Sequence, residues 1–238
     1  MSGHTLQQNQ KTRPVGRPRA NGRPHLTELD VFAGAAKLIA QHGYSGTSIR
    51  MLATTLGATP ASIFHLFKSK EDILNRLICF ASGPSIAFYE GLQALSVNAG
   101  VLLYKSLLEE VALVAAVDQA FPALFYLPEL AKPDFAPAQA ARRTMVKHYE
   151  DIIKRGIKDD LFETVDPALT SEQFFQLTET SILAGPNARH LTPAEQAEAT
   201  ARLCLRAILK KPSTVETIAR AAHKIRNQID TSAFSNQS

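Results

Sequence analysis

The stretch GATPASIFHLFKSKED, residues 57–72, constrains this chain more than any other, because it spells out two helix starts within a dozen positions. Thr59 supplies a side-chain oxygen at an N-cap, and Pro60 takes the first helical position, where its missing N–H costs nothing and its fixed φ already suits a helix. The proline therefore starts a helix. Ile63 and Phe67 fall on one face at i and i+4, and Ser69 caps the next helix, whose first turn sets Glu71 and Asp72 against the macrodipole. Upstream, Phe32, Ala35, Ala36 and Ile39 recur at helical spacing and the run closes at Gly43, a natural left-handed stop, which predicts a helix over 28–42. Thr47 offers an N-cap to a short helix carrying Ile49, Leu52 and Leu56 and closed by Gly57, with the small Ala53 allowing a close crossing. A helix, a turn of about three residues and a second helix make helix-turn-helix geometry. A purely structural bundle of three or four helices has the same apolar spacing.

Charge separates the two readings. Residues 1–26 carry Lys11, Arg13, Arg17, Arg19 and Arg23 and no acid, so of a net +4 the arm holds +5 and the remainder −1 (4 less 5). Such an arm, rich in Gly, Pro, Asn and Gln, does not bury enough apolar surface to fold alone, and basic arms seek polyanions. Its wording, VGRPRANGRP, repeats Gly-Arg-Pro at 16–18 and 22–24 and resembles the core of AT-hook peptides, in which arginines on an extended backbone lie along the narrow minor groove of A·T-rich DNA.

With that arm in front of it, GYSGTSIRMLATTLGATPASIFHLFKSKEDIL resembles the DNA-binding domain of TetR-type transcriptional repressors, through Gly43-Tyr44, Thr47-Ser48, Ala53, Phe64, Phe67 and Ser69-Lys70-Glu71. The resemblance implies an all-α homodimer: an N-terminal helix-turn-helix three-helix domain over 27–72, behind the arm of 1–26, and a helical effector-binding and dimerisation domain over 73–238. It further implies that Thr47, Thr59, Phe64 and Lys70 sit against phosphates, contacts that position a protein without reading bases. Phe64 stands where the family usually has tyrosine and has no hydroxyl to give; Ala61 stands where many members have glycine. Base edges are left to Pro60, Ala61, Ser62 and His65, with Arg50 on the preceding helix a further DNA-facing residue. None of those four is arginine or lysine, so Arg17, Arg19 and Arg23 are expected to add affinity from the neighbouring minor groove. The partners expected are a palindromic double-stranded operator with A·T-rich flanks, a small-molecule effector and a second copy of the chain. An architectural AT-hook protein with a helical oligomerisation domain and no effector is the alternative.

Beyond residue 70 the spacing predicts helices near 71–82, 84–96, 101–118, 138–157, 171–184, 193–209 and 214–229 and no strand, with capping-box spacing at Thr170/Gln173, Thr192/Glu195 and Ser213/Glu216. AFPALFYLPELAKPDFAP, with four prolines, reads as a loop with short helical turns that roofs a cavity, lined by Phe88, Tyr89, Tyr104, Leu108, Tyr126 and Tyr149. Gly156, Leu161 and Phe162 fit the family's Gly-x-x-x-x-Leu-Phe turn, and the two helices after it are expected to pair with their symmetry mates through Phe174, Leu177, Ile182, Leu203 and Ile208.

The remaining features exclude rather than suggest. There is no G-x-S-x-G, G-x-x-x-x-G-K-S/T, G-x-G-x-x-G or H-E-x-x-H, and the seven histidines lack ligand spacing, so no catalytic residue, metal or cofactor is expected. His148, beside Glu150 and Asp151, reads as part of a solvated face. Cys79 and Cys204 read as small buried hydrophobes in a reducing compartment. MSGHTLQQNQKTRP lacks the apolar core of a signal peptide and no stretch approaches ~20 apolar residues, so a cytoplasmic protein with no membrane contact is expected.

Overall fold

The computed structural model describes residues 25–116, 120–180, 191–226 and 228–230. Its described elements are ten α-helices joined by turns and short 3-10 segments, with one isolated antiparallel bridge, Phe162 to Leu209. The fold is all-α. Helices α1 (Glu28–Gly46), α2 (Ile49–Thr55) and α3 (Pro60–Leu66) lead into the long α4 (Lys70–Gln93). Then come α5 (Ala99–Ala116), α6 (Ala120–Leu124), α7 (Ala136–Lys158), α8 (Pro167–Thr180), α9 (Pro193–Ile208) and α10 (Val215–Ala222).

The N-terminal half follows its punctuation. Thr27 and Asp30 form a capping box on α1, and the helical backbone breaks at Gly43, whose φ of 71° places it in the left-handed region. Gly57, at φ 59°, turns the chain between α2 and α3. Thr59 caps α3 by accepting from the Ser62 N–H, with Pro60 at its first position, and Ser69 caps α4. The cap of α2 is Ser48 rather than Thr47. Thr47 is only 5% exposed and its hydroxyl donates to the Gly43 carbonyl, which leaves its neighbour to accept from Met51 N–H.

Two hydrophobic cores share α4. The first gathers Val31, Phe32, Leu52, Ile63, Phe67 and Leu74 with Phe121 and Leu124 of α6, Phe135 just before α7 and Ala138 in its first turn. Asn75 ties them together: its amide donates to the Asp134 carbonyl at 2.8 Å and its carbonyl accepts from Ala138 N–H at 3.2 Å. The second core wraps α5, whose residues 99–107 are buried on every side, as a helix enclosed by neighbours must be. α9, α10, α7, α8 and α4 all pack on it.

Several predicted boundaries move. The expected break between 82 and 84 is absent, because α4 runs through Pro84. A proline forfeits one backbone hydrogen bond, but Ser82, Ser85, Phe88, Tyr89 and Leu92 around it are all buried, and that packing keeps the helix going. α8 begins at Pro167, where the Asp166 carboxylate accepts from the Ala168 and Leu169 N–H groups, so Thr170 sits inside the helix instead of capping it. Ser213 falls in a 3-10 turn, and Glu216 is drawn into an ion pair with Arg202 rather than a capping box. The Thr192/Glu195 box forms as expected. The predicted helix ends at 181–184 lie outside the described residues.

The Gly-x-x-x-x-Leu-Phe turn has a steric cause. The Gly156 carbonyl accepts from both Leu161 and Phe162 N–H, with Asp160 at φ 58° between them, and a Cβ at position 156 would lie 2.0 Å from the Phe162 ring. Only glycine fits under that ring.

Candidate nucleic-acid interface and an apolar recess

α3 buries one side and offers the other. Ile63 and Phe67 are 0% and 2% exposed, whereas Phe64 is 54% exposed and Pro60, Ala61 and His65 lie open beside it. Ser62 is half-buried, and its hydroxyl shares a 2.9 Å hydrogen bond with that of Thr59. Arg50 on α2 and Lys68 after α3 are exposed near this ridge in the chain; Lys68 went unnoticed in the sequence because it precedes a cap instead of lying on a helix.

Lys70 is occupied otherwise than the sequence suggested. Its ammonium donates to the Tyr44 and Thr47 carbonyls at 2.9 and 3.0 Å and lies 4.1 Å above the Tyr44 ring, while the Tyr44 hydroxyl donates to Glu71. It thereby satisfies carbonyls at the end of α1 that no helix can bond, and two of its three donors are spent. Thr47, buried, has little surface for a phosphate. Arg17, Arg19 and Arg23 lie outside the described residues.

A second feature opens beside the middle of α4, at Ala81. Ala81, Glu110, Leu113, Val114, Phe121, Pro122, Phe125, Met145 and Glu179 line a small, partly open recess with a cavity volume of about 40 Å³. The proline-rich segment supplies Phe121, Pro122 and Phe125, but of the six residues expected to line a cavity none does. Phe88, Tyr89, Tyr104 and Tyr149 are packed into the second core, Leu108 is half-buried, and Tyr126 is 42% exposed. Tyrosine hydroxyls nevertheless reach the recess from behind its wall, since Tyr89 donates to Glu110 at 2.5 Å and Tyr126 donates to Glu179.

Glu110 and Glu179 are 2% and 4% exposed. Burial pushes the Glu110 carboxyl up to about 7, against the pull of hydrogen bonds from Tyr89 and Ser85. Burial likewise raises Glu179 to about 8, helped by the charge of Glu110 and opposed by Tyr126 and Arg142. The sequence hid both acids: Glu110 directly follows Glu109, and Glu179 stands between Thr178 and Thr180, so each reads as part of a solvated face.

His148 is a correction of the same kind. It is 3% exposed, stacked on Tyr89 at 3.8 Å between centroids, and hydrogen-bonded to Ser106 at 2.8 Å, and burial lowers its pKa to about 3. Cys79 is exposed while Cys204 is buried. Of the residues expected between subunits, Phe174 and Ile208 belong to the second core at 5% and 3% exposure, Leu177 and Leu203 stand outside at 38% and 61%, and Ile182 lies outside the described residues. No cluster of three or more metal-ligating side chains occurs among the described residues, and none of their helices is long and apolar enough to cross a membrane.

An N-terminal helix-turn-helix with a proline-led, outward-facing second helix, carried on a larger helical domain, defines the class. Residues 31–77 match the model of the family described as bacterial regulatory proteins, tetR family. Over 54 residues the chain is 39% identical to the HTH-type transcriptional repressor AcnR of Corynebacterium diphtheriae, which covers 23% of this chain and 28% of that one. The chain thus aligns with less than a third of the length of that curated relative. Over 89% of this chain and all of the other, the fold is similar to the crystal structure of Mycobacterium smegmatis AmtR, with a TM-score of 0.67 and 25% identity. It is also similar to Bacillus subtilis FadR in complex with stearoyl-CoA, at a TM-score of 0.62 and 18% identity over 75% and 98% of the two chains. Residues 31–77 thus match the tetR-family helix-turn-helix domain, and the fold around them is similar to that of AmtR.

Proposed function

We propose that the chain is a homodimeric, cytoplasmic regulator that binds double-stranded DNA at a palindromic operator, represses transcription there, and lets go when a small molecule enters the recess. The observation that carries this reading is the ridge of Pro60, Ala61, Phe64 and His65, exposed side by side on a helix whose opposite face is locked into the core. Such a rod fits a major groove. Thr59, Arg50 and Lys68 would meet phosphates around it, and the Gly-Arg-Pro arm would follow the adjoining minor groove.

One helix-turn-helix reads too few base pairs for selectivity, so a two-fold pair with half-sites one helical turn or a multiple apart is required. The outer faces of α8 and α9, with Leu169, Leu177 and Leu203 exposed at 57%, 38% and 61%, are the surface best suited to that pairing. The AcnR relative is a repressor and FadR was solved with an acyl-CoA, which supports repression and a small-molecule effector by analogy. Mechanical coupling has two routes. Ala81 of α4 and Phe121 of α6 both line the recess, and both elements continue into the core beneath the helix-turn-helix. A ligand with different affinities for two settings of these helices shifts the spacing of the paired α3 rods.

Anisotropy titrations with duplex DNA from the region flanking the chain's own gene test the reading. Saturation at two chains per site, with a scrambled duplex of equal length bound at least a hundredfold more weakly, is expected; equal affinity for both duplexes contradicts it.

A further inference from the structure

The recess has walls of one kind and charges of one sign. Leu113, Val114, Phe121, Pro122, Phe125, Met145 and Ala81 make it apolar, and the ionisable groups lining it, among the described residues, are the carboxyls of Glu110 and Glu179. Among the described residues no lysine, arginine or histidine joins them. Arg142 is close enough for its charge to act on Glu179, but its guanidinium is held by Glu172 at 2.7 and 3.2 Å and lies 5.3 Å above the Phe175 ring. The other groups facing the two acids are neutral donors: Ser85 and Tyr89 on Glu110, with the Tyr149 hydroxyl 3.3 Å behind Tyr89, and Tyr126 on Glu179. His148, stacked on Tyr89, is kept uncharged by burial.

Two buried acids in an apolar recess are costly to ionise together, and a counter-charge entering from outside removes that cost. An acyl-CoA or a free fatty acid would instead add anionic charge beside them. We propose that the recess takes a monocationic amine with a small apolar body, its ammonium held by the carboxyls of Glu110 and Glu179 and its hydrocarbon against Leu113, Val114, Phe121 and Met145. This rests on the reading of the recess as an effector site and names the chemistry of the effector. Burial raises both carboxyls into the neutral range, and a bound cation favours the carboxylates, so binding releases protons and tightens as pH rises.

Titration calorimetry of the full chain with three small probes of one shape tests this: 2-phenylethylamine, neutral 2-phenylethanol and anionic 3-phenylpropionate, at pH 6 and pH 8. The amine is expected to bind at least tenfold more tightly than the alcohol at pH 8, to weaken several-fold at pH 6 and to release protons on binding, while the carboxylate gives no heat of binding. Glu110→Gln and Glu179→Gln should each weaken the amine at least tenfold and leave the alcohol unchanged. Should Glu110→Gln fail to fold, Glu179→Gln and the probe series on the unaltered chain carry the test. Binding of the alcohol or the carboxylate as tight as the amine overturns the proposal but leaves an effector recess standing. Amine affinity indifferent to both substitutions also overturns it. Binding of none of the three removes the recess as a small-molecule site, and the proposal with it.

Discussion

The two cores of this molecule solve different problems. The first, under the helix-turn-helix, is built from aliphatic and aromatic side chains such as Val31, Phe32, Leu52, Ile63, Phe67 and Leu74, and polar groups enter it mainly as caps and as the Asn75 clasp. The second encloses Glu110, Glu179, His148, Ser85, Ser106 and the hydroxyls of Tyr89 and Tyr149. A core that only has to hold a rod rigid gains nothing from buried ionisable groups, which cost stability unless fully partnered. A core that has to recognise something needs chemistry inside. The difference teaches where to look for function in the larger half: at the polar groups that stability alone would have removed.

Truncation of each core gives the largest effect. Phe67→Ala and Phe175→Ala, at 2% and 0% exposure, should each cost about 3–5 kcal/mol in denaturant unfolding. Because α4 and the residues Phe121, Leu124 and Phe135 join the regions, both variants are expected to shift one shared transition. Two separate transitions by circular dichroism would break the coupling that effector release requires.

The buried acids give the second effect. A carboxyl raised from 4.5 to about 7 or 8 binds more protons folded than unfolded across that window, so its contribution to stability is lost as pH rises through it. His148, lowered from 6.5 to about 3, acts in the opposite sense below 6.5, which leaves pH 6.5–8 as the clean interval. Stability there should fall by an amount of order a few kcal/mol, and the double variant Glu110→Gln/Glu179→Gln should flatten the slope. A stability flat from pH 6.5 to 8 in the unaltered chain would remove the contrast between the cores.

Smaller, and confined to the second region, is the cost of filling the space under Phe162. Gly156→Ala places a methyl against an aromatic ring that has no free end to swing away, and should destabilise by about 1–3 kcal/mol in the same denaturant titration. A neutral result would mean that the turn relaxes.

The regions also differ in how much of them the sequence discloses. In the first, information is local: Thr59, Pro60, Gly43, Gly57 and Ser69 each fix a cap or a turn within four residues, and those positions hold. Thr47 fails because two adjacent residues, both good caps, compete and only the packing of Thr47 decides. In the second region the deciding partners are distant. Glu110 is 21 residues from Tyr89, and His148 is 42 from Ser106, so spacing along the helix bearing His148 reads a solvated face where tertiary structure makes a buried stack. Phe174 and Ile208 turn inward while Leu177 and Leu203 stay out, because tertiary packing decides which of the leucines and phenylalanines on α8 and α9 are covered. Pro84 shows the converse: local chemistry says stop, and the buried flank of α4 overrules it.

The central claim is that the exposed side of α3 is the part of the chain that meets DNA, and one substitution addresses it directly. Phe64→Glu puts a negative charge on a side chain already 54% exposed, so the fold should keep its thermal transition while a carboxylate faces phosphates. Anisotropy with the flanking-region duplex at fixed salt should then show affinity reduced at least a hundredfold. A Phe64→Glu chain that folds normally and binds the duplex as tightly as the unaltered protein would contradict the account.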